Sequence, residues 1–282
     1  MTVVIAGCGD LGTEAGLRFA SLGHRVVGLR RSAEKLPSAI EGQAVNLSEE
    51  VPTLPADTGI VVIAMSPDAR TAEAYQAAYV ESVRNVAAAI SNNCAMPPRV
   101  LYVSSTAVYS VDDGSWVDET TPAEPSTPTA TVLLEAEETL LRLIPNAAVL
   151  RLSGIYGPGR TREIDRVRQG VASIPSTPEF TNRIHRDDAA AALVHLATMQ
   201  EWPETVYIGV DNLPVDRREV VEFLASSLGV AVPEAADSSP GQEARGKRLR
   251  NSRLRGTGFE FSYPTFREGY AAVMDGVGIR HP

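Results

Sequence analysis

Gly7, Gly9 and Gly12 stand in VVIAGCGDLGTEAG, directly between an apolar run and a helical pattern. The chemistry this spacing serves is the holding of a dinucleotide pyrophosphate. Gly7 permits a tight turn, Gly9 lets main chain approach phosphate, and Gly12 lets helix and strand pack closely. The phosphates then face unpaired N–H groups at the positive end of the helix. Alone the motif is weak; inside a complete strand–helix–strand unit it is specific. The second strand of that unit ends in Leu29-Arg30-Arg31-Ser32, where an NAD site carries an acid for the ribose hydroxyls. Guanidinium groups bind a 2′-phosphate bidentately, so these residues predict NADP(H) in preference to NAD(H). The alternative is that one or both arginines are solvated surface charges. The expected cofactor set is Gly7, Gly9, Asp10, Leu11, Gly12, Arg30, Arg31 and Ser32, with Ala64 near the end of the run 59–65.

Proton-transfer groups are scarcer. PSTPTATVLLEAEETLLRL (125–143) reads as a loop and then a helix whose first turn holds threonines and nothing that exchanges a proton near neutral pH. Of 26 basic residues only Lys35 and Lys247 are lysine, so any role requiring lysine has two candidates.

The elements that must position these groups follow from the apolar pattern. Short β-branched runs at 2–8, 25–30, 43–47, 59–65 and 99–105 alternate with helical patterns at 10–23 and 68–91. AAVLRLSGIYG (147–157) reads as a sixth strand, 187–199 and 218–229 as helices, 205–210 as a strand, and 233–256 as a mobile polar loop. The predicted fold is α/β: a Rossmann-type doubly wound parallel sheet over 1–158, with a smaller, substrate-facing part over 159–282. Residues of about 184–212 are expected to pack back on the first domain.

Composition narrows the setting. With 44% hydrophobic and 22% charged residues the chain is ordinary globular material. A net charge of −9 and no dense basic run argue against nucleic-acid or acidic-membrane partners. Two cysteines are too few for a disulfide framework or a zinc site, which fits a reducing cytoplasm. No cleavage signal opens the sequence, and no run approaches the roughly 20 apolar residues that span a bilayer.

The glycine loop, SSTAVYS (104–110), DETTP (118–122), LRLSGIYGPGR (150–160), RIHRDDAAAAL (183–193) and YIGVDNLP (207–214) occur in that order. Together they resemble the short-chain dehydrogenase/reductase superfamily in its extended, epimerase-like branch. The loop is GxGxxG where that branch usually has GxxGxxG. This departure and the segment GKRLRNSRLRGTGFEFSYPTFREG look like an atypical subgroup. The resemblance implies an NAD(P)-dependent oxidoreductase or epimerase whose active site holds a hydroxyl residue, a tyrosine, and a lysine four residues after the tyrosine. The hydroxyl role falls on Ser105, but Thr129 and Leu133 occupy the tyrosine and lysine positions. An unperturbed phenol ionises near ~10 and a neighbouring ammonium brings it toward neutrality; threonine beside leucine has no such route.

Tyr109, Tyr156 and His185 lie in motif stretches near the expected cleft and are the candidates to stand in. Each has a structural alternative: the tyrosines as packing or wall residues, the histidine before a helix capped by Asp187 or Asp188. Family dehydratases carry an Asp-Glu pair where this chain has Thr106 and Ala107, and Thr181 replaces the arginine that binds sugar diphosphates in epimerases, with Arg183 or Arg160 as substitutes. Two functions remain in view. One is an NADP(H)-dependent oxidoreductase or epimerase-like enzyme on a small carbonyl or sugar-like molecule, with a non-standard proton donor. The other is a catalytically inactive cofactor-binding sensor or regulatory protein. A homodimer through the alanine-rich helix 68–91 is a further expectation.

Overall fold

The computed structural model describes residues 1–235 and 243–282. Its first half runs β1 (Thr2–Ala6), α1 (Asp10–Ser21), β2 (Arg25–Arg30), β3 (Glu41–Ala44) and β4 (Thr58–Ile63). Next come α2 (Ala72–Tyr75) and α3 (Ser82–Asn93), joined by a π-helical turn at Gln76–Glu81. They are followed by β5 (Arg99–Ser105), the short β6 (Trp116–Val117), α4 (Pro128–Leu143) and β7 (Ala148–Leu152). The second half holds β8 (Gly154–Tyr156), α5 (Arg162–Arg168), β9 (Glu179–Thr181), β10 (Arg183–His185), α6 (Arg186–Thr198) and β11 (Val206–Gly209). It closes with β12 (Val215–Asp216), α7 (Arg217–Leu228), β13 (Arg245–Gly246), β14 (Arg248–Leu249), α8 (Ser252–Gly256) and α9 (Phe266–Met274).

The central sheet has the order β11-β7-β5-β4-β1-β2-β3, and every pairing in it is parallel. Its inner strands read as continuous apolar runs because both faces are covered. The side chains of α1 and α6 close one face, those of α3 and α4 the other. Strand order reverses between β1 and β4, and in such sheets ligands bind outside the carboxyl ends at that point. The sheet is therefore the expected doubly wound Rossmann-type arrangement. The second half also contributes to it: β11 pairs with β7, and α6 packs on α1.

Local chemistry sets the boundaries. Thr127 accepts the Ala130 N–H (3.3 Å) and Pro128 begins α4, a side-chain cap followed by a residue with preset φ. Thr71 caps α2 in the same way, so that helix begins after residue 71 rather than at 68. The run 147–157 is not one strand. Ser153 N–H still bonds the Gly209 oxygen, after which β8 leaves the sheet to pair with β10.

The expectation of a mobile loop over 233–256 is corrected for the described part. Residues 243–256 form β13, β14 and α8; residues 236–242 lie outside the described residues. Two arginines of this stretch are stacked on aromatic rings, Arg248 on Trp116 and Phe180 (5.1 and 4.6 Å) and Arg250 on Trp116 (4.9 Å). No helix among the described residues is long and apolar enough to cross a membrane.

Candidate functional site

The glycine loop lies between β1 and α1 at the carboxyl edge of the sheet. Gly7 has φ +84°, and a Cβ on it would sit 2.7 Å from the Ala64 oxygen. A Cβ on Gly12 would sit 2.7 Å from the Gly7 oxygen, so these two glycines permit the close approach of strand, helix and β4. At Gly9 a Cβ would meet nothing within 4 Å. Gly9 also precedes α1 without supplying a side-chain cap, leaving helix N–H groups toward the opening.

Two adjoining cavities run along this edge, sharing Gly9, Ala64, Met65 and Ser66. The first, of about 270 Å³, is lined by Gly7, Arg30, Arg31 and Ser32. The second, of about 310 Å³, is lined by Asp10, Leu11, Gly12 and Arg160 and by Tyr79, Ser105 and Ser153. The structure thus brings all the sequence-named cofactor residues, and Ser105, to one continuous cleft.

Charges within the cleft are already engaged. Both terminal nitrogens of Arg31 donate to Asp68 at 2.7 Å. Arg30 Nη1 donates to the main-chain oxygens of Cys8 (3.2 Å) and Pro282 (2.7 Å). Asp10 accepts from Arg160 Nε (2.8 Å), Arg186 Nη1 (2.8 Å) and the His281 N–H (3.1 Å). Burial by itself raises the Asp10 carboxyl, but those hydrogen bonds and guanidinium charges hold it below its ordinary value.

Ser105 ends β5; its Oγ accepts the Ala107 N–H (3.2 Å), and its own proton remains to donate. Thr129 and Leu133 are turned away from the cleft. Thr129 Oγ1 lies 3.4 Å from Thr127 Oγ1, and Leu133 is 4% exposed in an apolar cluster with Val108, Tyr109, Val117 and Ile208. The lysine position thus carries a buried apolar side chain, in a cluster against which Tyr75 and Tyr79 also pack.

None of the three stand-in candidates lines either cavity. Tyr109 is buried, and its oxygen accepts from Arg151 Nη1 (2.7 Å), whose guanidinium also pairs with Glu137 (2.6 Å). Burial raises the Tyr109 phenol above its ordinary value. Lys247 donates to the Tyr109 main-chain oxygen (2.6 Å), and burial lowers its ammonium pKa. Tyr156 lies against Tyr270 (4.4 Å between rings) in the core of the second half, and burial, then Asp211, pushes its phenol up.

His185, rather than Asp187 or Asp188, caps α6: its Nδ1 accepts the Asp187 N–H (3.2 Å). The ring packs 4.0 Å from that of Tyr263, and burial pulls its pKa down to about 4. Asp188 instead accepts the Ser262 and Tyr263 N–H groups (2.8 and 2.9 Å). The helix-cap expectation at this turn therefore changes from an aspartate to His185, whose ring is sheltered and whose Nε2 has no hydrogen-bond partner among the described residues.

Among the cleft hydroxyls that the sequence did not single out, Tyr79 and Ser153 matter most. Tyr79 sits in the π-helical turn, its ring 5.3 Å from that of Tyr75, and no hydrogen bond among the described residues reaches its hydroxyl. Burial, with the Tyr75 phenol adding, pushes it up to about 12. Ser153 follows β7; it is 6% exposed and its Oγ has no partner among the described residues. The available signals were slight: two tyrosines four apart on an alanine-rich helix, and one serine in an apolar run.

Arg183, named as a substitute anion ligand, faces a separate cavity of about 470 Å³ with Arg162, Arg166 and Arg217. Its guanidinium lies over Phe266 (5.4 Å) and donates to Thr181 Oγ1.

A Rossmann sheet with a glycine-loop cleft defines the class, and comparison gives the family. A profile described as the NAD dependent epimerase/dehydratase family matches residues 3–209, and the chain belongs to that family. It is 35% identical to a Methylobacillus flagellatus protein classed as an NAD-dependent epimerase/dehydratase, with 98% of each chain covered and a TM-score of 0.80. A conserved Silicibacter pomeroyi protein of unknown function is 27% identical, covering 98% of this chain and 99% of that one, with a TM-score of 0.76. The human epimerase family protein SDR39U1, solved with NADPH, is 18% identical over 98% of this chain and 100% of that one; its TM-score of 0.79 shows the fold alone. Among curated proteins none matches the chain.

Proposed function

We propose that the chain is an NADP(H)-dependent oxidoreductase or epimerase-like enzyme acting on a small carbonyl or sugar-like molecule, with Tyr79 in place of the usual tyrosine. The observation that carries the reading is the continuous cleft. It runs from the guanidinium of Arg30, past open main chain at Gly9, to the hydroxyls of Tyr79, Ser105 and Ser153. A nicotinamide cofactor suits the first stretch, in keeping with the family profile and with the NADPH in the human relative. Its 2′-phosphate would fall to Arg30, because Arg31 is paired with Asp68. When bound, the cofactor supplies or accepts a hydride at the hydroxyl end.

The remaining work belongs to the chain. Ser105 donates a hydrogen bond to the substrate oxygen and orients it. Tyr79, protonated throughout the neutral range, gives its proton to that oxygen as negative charge develops there, and water restores it. Ser153 offers a further buried hydrogen bond, since an orphaned hydroxyl costs stability until a ligand satisfies it.

The second reading, cofactor binding without turnover, is favoured by Leu133, whose burial seals the lysine position. Fluorescence titration with NADPH and NADH, followed by NADPH oxidation over a panel of aldehydes, ketones and keto-sugars, separates the two. The proposal expects tight NADPH binding, turnover of at least one carbonyl, and a loss of about 10²–10⁴ in kcat for Tyr79→Phe with NADPH affinity retained. Binding without turnover of any carbonyl supports the second reading; turnover that survives Tyr79→Phe removes Tyr79 from the mechanism.

A further inference from the structure

Residues 277–282 pack across the first helix instead of trailing from α9. Arg186 Nη2 donates to the Ile279 oxygen (2.8 Å), and Arg280 Nη1 to the Gly159 oxygen (3.0 Å). His281 is 6% exposed; its N–H donates to Asp10 Oδ1 (3.1 Å), and its Nε2 lies 2.9 Å from Glu14 Oε2. These contacts hold the segment without help from Arg30. They carry the Pro282 main-chain oxygen to 2.7 Å from Arg30 Nη1, the nitrogen that also donates to Cys8.

A guanidinium has five N–H groups, two of them on Nη1. Both of those are engaged, while no hydrogen bond among the described residues reaches Nε or Nη2. That free edge is a planar two-donor fork of the kind that matches a phosphate. Arg30 lines the first cavity, not the one that holds Tyr79, Ser105 and Ser153.

We infer that segment 277–282 is a positioning element of the cofactor site, holding Arg30 by Nη1 so that its Nε–Nη2 edge receives the 2′-phosphate of NADP(H). The inference rests on the NADP(H) reading above and extends it to residues some 250 positions away in sequence. A loose arginine surrenders rotamer freedom when it captures a phosphate; one already held does not, so affinity gains from preorganisation. Competition between the segment and the phosphate is the contrary arrangement. It would require pulling Pro282 away from a segment that His281 and the Ile279 oxygen hold in place each time cofactor enters.

The test is a set of NADPH and NADH titrations on the full chain, a chain ending at Gly276, a chain lacking only Pro282, and Arg30→Ala. Circular dichroism reports whether each is folded; if the chain ending at Gly276 is not, the Pro282 deletion decides, because it leaves the His281 anchors in place. Both shortened chains are expected to bind NADPH about tenfold more weakly, the scale of one hydrogen bond to a charged group, with NADH affinity unchanged. Equal weakening for both cofactors would make the segment a plain structural strap and overturn the inference. Tighter NADPH binding would make it a competitor and overturn it too. Unchanged NADPH binding in the shortened chains, with Arg30→Ala losing affinity, would overturn the inference and spare the NADP(H) reading. No effect of Arg30→Ala would remove that reading itself, and the inference with it.

Discussion

A phenol packed into an apolar wall gives up its proton reluctantly, and Tyr79 is such a phenol. Its neighbours include the Tyr75 and Tyr102 phenols, and it packs against the apolar cluster that holds Leu133. Burial holds the group up to about 12, so the protonated form that the proposed carbonyl reduction would consume is present across neutral pH. The reverse reaction needs the phenolate. Reduction should therefore be flat in this group's titration across neutral pH, whereas alcohol oxidation should climb about tenfold per pH unit toward 12. Rate profiles in both directions check this, and an oxidation rate that levels off near pH 7 would point to another base. Gly7 and Gly12 were legible at this scale because each meets a steric demand that only glycine meets. Tyr79 was not, because the π-helical turn that presents it leaves no mark in an alanine-rich helical pattern.

At the scale of the element, α4 is built as a core helix. Its cap, its proline start and its apolar stripe make an ordinary core helix, with Leu133 and Glu137 both facing inward. Glu137 accepts from Ser104 Oγ (2.5 Å) and from Arg151, a buried polar network under the cleft that is satisfied on every member named. Reinstating the family's lysine by Leu133→Lys should not restore an active site. It should place an ammonium among Val108, Val117 and Ile208 and destabilise the fold by about 3–5 kcal/mol, seen as a lower urea midpoint. Leu133→Ala, which only leaves a cavity, should cost about 2–5 kcal/mol. Thr129 and Leu133 were placed at the tyrosine and lysine positions by resemblance to the family; the apolar cluster around Leu133 was not readable, since β14 and β11 supply part of it from remote sequence.

The whole molecule is joined by charges that cross it. Arg186, buried in α6, pairs with Asp10 and Asp187 and reaches the Ile279 oxygen. Arg186→Met should leave two carboxylates short of a partner and cost about 3–5 kcal/mol, measurable by thermal or urea melting. In the second half, burial raises the Asp211 carboxyl to about 7, with Arg183 opposing and Glu268 and Asp188 adding to the rise. The folded state then holds that proton more tightly than the unfolded chain, whose carboxyl titrates near ~4. The stability it contributes is present below that lower value and is lost as pH rises through about 7. Asp211→Asn should accordingly melt at a higher temperature than the parent at pH 8, the difference shrinking toward pH 5. The sheet could be read from apolar runs because each run is local. The contacts of Arg186, His281 and Pro282 with the glycine loop could not, since no local pattern records a partner more than a hundred residues away.

The central claim, a nicotinamide cofactor lying along one cleft, is tested most directly by a crystal structure of the protein with NADPH. The account predicts the 2′-phosphate on the Nε–Nη2 edge of Arg30, the pyrophosphate at Gly9, and the nicotinamide between Ser105 and Tyr79. Density for the cofactor anywhere else, or none at saturating NADPH, would contradict it.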